Sequence, residues 1–230
     1  EGHTDEGYLT LSIGGGRANL TVQDNAVLNF RVLSSREGVT LFTVKDNGQV
    51  HIFDVLTGRG YIDEDTPPDR PEIVGGFRNS LSSGPDTEST LTLQDNAEMT
   101  VNASEGLGIS GPRGTSDPGG KATLIVRDAA SFRVEQYLAL GTGNQATTSD
   151  GTLEVRGPDA SVSIGGNLNM AVDPDGQVPT TDGGEGDPVP GKATLNAVIS
   201  ASTHSTVQVE GIARIAQGIL KVTLDDYTPV

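Results

Sequence analysis

Five segments of the chain carry one pattern of apolar and polar positions: ANLTVQDNAVLNFRV from Ala18, TLFTVKDNGQVHIFDV from Thr40, STLTLQDNAEMTVNA from Ser89, ATLIVRDAASFRVEQ from Ala122 and GTLEVRGPDASVSIG from Gly151. Each opens with two apolar residues one position apart, Leu20 and Val22, Phe42 and Val44, Leu91 and Leu93, Leu124 and Val126, Leu153 and Val155. That period of two puts both side chains of a pair on one face of a strand. A corner rich in Asp, Asn, Gly and Ala follows, then a second alternating pair: Leu28 and Phe30, Val50 and Ile52, Met99 and Val101, Phe132 and Val134, Val162 and Ile164. A third short strand closes several repeats, at Leu107 and Ile109, Leu138 and Leu140, Leu168 and Met170, with an N-terminal relative at Leu9 and Leu11. A looser last repeat runs from Thr194 through Val207 and Val209 to Ile215, and Leu220, Val222 and Leu224 form one more strand pattern.

Three strands per repeat predict an all-β fold: a right-handed parallel β-helix, a solenoid of about six or seven coils with stacked loop insertions. The spacing from Val22 to Val44 is 22 residues, then 49, 33 and 29 to Leu93, Val126 and Val155. A short coil with insertions fits this better than a propeller, whose blades need four antiparallel strands of steadier length. The insertions, 58–88, 111–120, 141–151 and 173–191, are placed after the third strand each time, and so along one edge of the stack. No segment keeps a 3.6-residue period free of Gly and Pro, so no long helix is expected. Residues 1–230 read as a single domain, and as a piece of a longer protein, because the chain starts at Glu1 without an initiator Met and stops soon after a strand pattern with no capping segment.

The stretch TLEVRGPDASVSIGGNLNMA from Thr152 and the ending ILKVTLDDYTP from Ile219 resemble the parallel β-helices of bacterial exported proteins. These include autotransporter-passenger-like repeats and the planctomycete and verrucomicrobial surface proteins that carry a C-terminal sorting tag, which this chain lacks. The resemblance spans roughly three quarters of the chain. It implies this fold and an extracellular or bacterial cell-surface life, and it specifies no activity.

Composition narrows the chemistry. The apolar share rises from 34% to about 47% when the 31 glycines are added, which is ordinary for a folded chain. A net charge of −16, from 31 acidic and 15 basic residues, repels nucleic acid and favours solubility, divalent cations or a cationic partner. Without cysteine there is no disulfide, thiolate metal site or Cys nucleophile. No run approaches the roughly 18 apolar residues of a spanning helix, so membrane insertion is not expected.

Candidate sites follow from residue type and spacing. The insertion DPDGQVPTTDGGEGDPVPG offers Asp173, Asp175, Asp182, Glu185 and Asp187 with no basic residue, and oxygen-rich loops of this kind suit Ca²⁺. It departs from an EF-hand loop, with Gln177, Val178 and Gly184 where a ligand, the turn glycine and the bidentate Glu belong, and a solvated acidic loop is the plainer alternative. The corner residues Asp24, Asp46, Asp95, Asp128 and Asp159 occupy matching or nearly matching places, about 4.8 Å apart in adjacent coils. They either hold a cation or accept backbone N–H groups in Asx-type turns, and the second is the expectation. Asn25, Asn47 and Asn96 beside them suit an amide ladder.

Gly106, Gly108 and Gly111 satisfy a dinucleotide fingerprint, but Pro112 follows where a helix must start, so these glycines mark a strand end. Carbohydrate lyases and hydrolases on this fold use paired carboxylates or a Ca²⁺ with a basic residue. Here Glu98 and Glu135 fall on adjacent coils but about 13 Å apart along the strand, beyond the ~5 to 9.5 Å of glycosidase pairs. Trp is absent, His3, His51 and His204 are scattered, and the sequons at Asn19 and Asn102 lie within strand patterns. The sequence therefore points to a non-catalytic structural or adhesion element such as a stalk, fibre or binding module. Its expected partners are further coils of the parent protein or other copies end to end, and surface glycan. The alternative is a polysaccharide-active enzyme or its carbohydrate-binding module.

Overall fold

The computed structural model describes residues 8–12, 15–35, 38–54, 80–81, 87–103, 106–110, 120–141, 149–157, 159–171, 191–200, 204–216 and 218–225. Among these there is no helix, and therefore none long and apolar enough to cross a membrane. The structure is all-β, with strands distributed over three parallel sheets.

The first sheet contains β2 (Arg17–Val22), β5 (Val39–Val44), β8 (Glu88–Leu93), β11 (Lys121–Arg127), β14 (Asp150–Arg156), β17 (Lys192–Ser200) and β20 (Ile219–Asp225), in that order. The second contains β3 (Val27–Phe30), β6 (Gln49–Asp54), β9 (Glu98–Ala103), β12 (Ser131–Val134), β15 (Ser161–Ile164) and β18 (Thr206–Val209). The third contains β1 (Tyr8–Leu11), β4 (Val32–Ser35), β7 (Ser80–Leu81), β10 (Leu107–Ile109), β13 (Leu138–Leu140), β16 (Leu168–Met170) and β19 (Ala213–Ile215). Each strand thus pairs with the strands three before and three after it in the chain.

Register follows the apolar pairs. Leu20, Phe42, Leu91, Leu124, Leu153, Leu195 and Leu220 form one column, and Val22, Val44, Leu93, Val126, Val155, Ala197 and Val222 the next. The second sheet aligns Leu28, Val50, Met99, Phe132, Val162 and Val207, with Phe30, Ile52, Val101, Val134, Ile164 and Val209 beside them. From β5 to β15 these side chains are at most 1% exposed, which places the core between the sheets. Full burial of each large one contributes about 1.5–3 kcal/mol, and a one-residue slip would turn a whole column outward. In-register stacking of like residues is what the equivalent places in the repeat predict.

Two features differ from expectation. The strands β4 and β7 carry little signal, because Ser34 and Ser35 interrupt one and the other is only two residues long. Yet both pair in the third sheet. Since β7 lies inside the insertion assigned to 58–88, residues 55–79 fall between the second and third strands of their repeat rather than after the third. The remaining insertions do follow third strands, at β10, β13 and β16.

Candidate functional site

The corner between the first and second sheets is the most regular polar feature. In each of the first four repeats a four-residue turn closes by a backbone bond, Gln23 to Ala26, Lys45 to Gly48, Gln94 to Ala97 and Arg127 to Ala130. Its second residue has positive φ, 59° at Asp24, 58° at Asp46, 61° at Asp95 and 63° at Asp128. Asp and Asn tolerate this left-handed region better than other residues with a Cβ, because the short polar side chain bonds locally. Asp159 also has positive φ, 67°, but stands one place later relative to the strand that follows, because Gly157, itself at 101°, lengthens the turn. It is therefore offset from the column formed by the other four.

The aspartates bond between repeats. The Asp46 N–H donates to Asp95 Oδ2 at 3.3 Å, and the Asp95 N–H to Asp128 Oδ2 at 3.4 Å. Gln94 Nε2 also donates to Asp95 Oδ2, at 3.2 Å, and this bond is the main cause that holds the Asp95 carboxyl below its usual range, with the Asp46 N–H, Arg127 and Lys45 adding to it. Lys45 and Arg127 lie 3.8 Å from the carboxylates of Asp46 and Asp128. The asparagines form the amide ladder that the sequence suggests, Asn47 Nδ2 to Asn25 Oδ1 at 3.5 Å and Asn96 Nδ2 to Asn47 Oδ1 at 3.4 Å. The corner carboxylates are thus occupied by donors and cations of the chain itself.

The outer face of the first sheet continues this logic. Glu88, Lys121, Asp150 and Lys192 stand in one column with alternating charge, the first two 3.8 Å apart. Arg127 Nη2 donates to Gln94 Oε1, Asn196 Nδ2 to Glu154 Oε2, and Thr223 Oγ1 to Asn196 Oδ1. A column of Thr90, Thr123, Thr152 and Thr194 runs between them.

On the second sheet Glu98 pairs with Ser131, so Glu135 stands four positions further along the next strand. Arg133 clamps Glu135 through Nε at 2.6 Å and Nη2 at 3.2 Å. This pair lowers the Glu135 carboxyl and raises the guanidinium, leaving a carboxylate poorly suited to donate a proton. His51 lies on this face and His204 bridges to Ile199 at the far end, so the structure does not bring them together.

Gly106 has φ 62°, and a Cβ there would collide with the Tyr137 carbonyl, so that glycine serves a tight corner. The calcium candidates Asp173, Asp175, Asp182, Glu185 and Asp187 lie outside the described residues, as do His3 and Gly111. Among the described residues no group of three or more His, Asp or Glu converges to hold a metal.

Two polar features escaped the sequence reading. Ser12, Ser35, Thr40 and Ser89 form a buried hydroxyl chain, with Ser35 Oγ 3.0 Å from Thr40 Oγ1 and 2.8 Å from Ser89 Oγ. Its only sequence signal is hydroxyl residues at first-strand places that later hold Ala122, Gly151 and Ala193. The outer face of the third sheet is also buried, at Ser34, Gly108, Ala139 and Asn169, and Ser34 Oγ and Asn169 Oδ1 have no hydrogen-bond partner. No family model matches the chain, nor does any curated protein or solved structure.

Proposed function

We propose that this chain is a right-handed parallel β-helix of a bacterial exported protein and that it serves as a non-catalytic structural or adhesion element, a stalk or fibre segment at the cell surface. The cyclic assignment of successive strands to three parallel sheets supports the helical winding. The right hand rests on the strong chirality of crossovers between parallel strands and on the resemblance to exported repeats.

One observation carries the structural role: polar side chains of successive repeats bond one another along the stacking direction. Asn25, Asn47 and Asn96 do so at the corner, Glu88 and Lys121 at the edge, and Glu154, Asn196 and Thr223 on the face. Side chains committed in this way stiffen the stack and are unavailable to converge on a substrate. Surface glycan remains the small-scale ligand class suited to the outer faces. Calcium binding by the acidic segment that includes Asp173 and Asp187 belongs to the same proposal.

The test is incubation of the purified chain with a panel of acidic and neutral polysaccharides, reading new reducing ends and unsaturated products. No product is the expected result. Cleavage of any member would overturn the structural reading in favour of a polysaccharide-active enzyme, whereas retention on a glycan array without cleavage would specify a binding module.

A further inference from the structure

At the C-terminal end of the stack the core columns run out into solvent. Leu220 and Val222, which continue the two inner columns of the first sheet, are 61% and 57% exposed, and Leu224 is 58% exposed. Ile215, at the end of the third sheet's column through Ile109, Leu140 and Met170, is 46% exposed. The strands β20 and β19 are each the last in their sheet, so one edge of each presents N–H and C=O groups along an apolar rung. Large contiguous apolar surface and a free strand edge together mark a place for another polypeptide.

We infer that this end docks the N-terminal rung of a second copy of the chain, head to tail. The opposite end carries the matching pattern. β2 and β1 are the first strands of the same two sheets, and the inner columns begin there with Leu20 and Val22 and with Leu9 and Leu11. Seating β2 on β20 in the register that relates every other pair puts Leu on Leu and Val on Val, the same types as Leu153 and Val155. Outside, Lys221 meets Thr21, Thr223 meets Gln23 and Asp225 meets Asn25. In the third sheet Ile215 meets Leu11 and Arg214 meets Thr10. No column brings like charges together, and Asp225 gains the amide of Asn25 as an acceptor gains a donor. A head-to-tail contact covers both open ends, whereas a two-fold tail-to-tail contact leaves β1 and β2 bare. Because it does not close on itself, it propagates.

The chain contains no cysteine, so cross-linking reports the contact directly. Thr21 and Lys221 are exposed and belong to the same outer column, and adjacent parallel strands lie about 4.8 Å apart, within the Cα separation of about 4.4–6.8 Å that a disulfide spans. The full chain carrying both Thr21→Cys and Lys221→Cys should give a ladder of covalent oligomers on mild oxidation. Lys221→Cys alone should not, and adding Val222→Asp to the pair should abolish the ladder while leaving the melting curve nearly unchanged, since Val222 is already exposed. Equal dimerisation by Lys221→Cys alone would overturn the head-to-tail geometry, and absence of cross-links at all protein and salt concentrations would overturn docking of a second copy. The inference rests on the structural reading above, but polysaccharide cleavage would sink that reading while leaving the cross-linking result in place.

Discussion

Asn96 donates its side-chain amide to Oδ1 of Asn47 at 3.4 Å, although 49 residues of chain separate them. Asn47 in turn donates to Asn25, 22 residues earlier. The intervening insertions differ in length, so the corner, rather than the loop, sets the alignment of neighbouring repeats. A parallel stack repeats one geometry at one spacing, and an amide is the side chain that both donates to one neighbour and accepts from the other.

Asn47 therefore tests the corner. Asn47→Ala removes both amide bonds and should cost about 1 kcal/mol, read as a lower urea midpoint. Asn47→Asp should cost more at low salt, because it cannot donate and adds charge beside Asp46, and the excess should shrink as salt screens it. An unchanged midpoint in both variants would show that the ladder contributes nothing.

Leu124 tests the core. It is fully buried between Leu91 and Leu153. Leu124→Ala should cost about 2–5 kcal/mol. Leu124→Asp should leave no cooperative unfolding transition, because an unpaired charge would be buried. A folded Leu124→Asp chain by circular dichroism would contradict the inward placement of this column.

Gly151 tests how closely the third sheet approaches the first. A Cβ there would run into the backbone N of Gly141 and the carbonyl of Ile109. Gly151→Ala should lower the melting temperature, although the same change in an open strand would ordinarily stabilise it. A higher melting temperature would show that the corner yields.

Asp95 sets an acid limb. Its folded pKa lies below the unfolded value of about 3.9. Its contribution to stability is thus present above that pH and is lost as pH falls through the folded value. Urea midpoints followed below about pH 4 should fall less steeply for Asp95→Asn than for the unaltered chain. Gln94→Ala, which removes the largest cause, should give an intermediate slope. Identical slopes would exclude the corner as the source.

Calcium tests the acidic segment. A ligand that binds only the folded chain stabilises it by about 2.7 kcal/mol at a hundredfold excess over its dissociation constant. The melting temperature should rise between chelator and millimolar Ca²⁺, and changing Asp173, Asp175, Asp182, Glu185 and Asp187 to their amides should remove the rise. Identical melting curves would end this reading.

What the sequence determined by itself was the strand set of the first two sheets, their inward residues and their parallel relation. Alternation of apolar residues such as Leu124 and Val126 fixes which face is inward, and recurrence of one pattern makes equivalent residues stack. The amide column was legible for the same reason, since identical side chains at equivalent places must meet. Tertiary structure alone decided β4 and β7, because two or four residues carry too little alternation to declare a strand, and Ser35 enters a column otherwise filled by Leu81, Ile109 and Leu140 only because Thr40 and Ser89 supply its hydrogen bonds. It also decided that Asp159 leaves the aspartate column, since one extra turn residue shifts a local match without disturbing the strands on either side. The exposure of Leu220 and Val222 was likewise beyond the sequence: their pattern is that of a buried pair, and only the place of β20 at the end of its sheet leaves them uncovered.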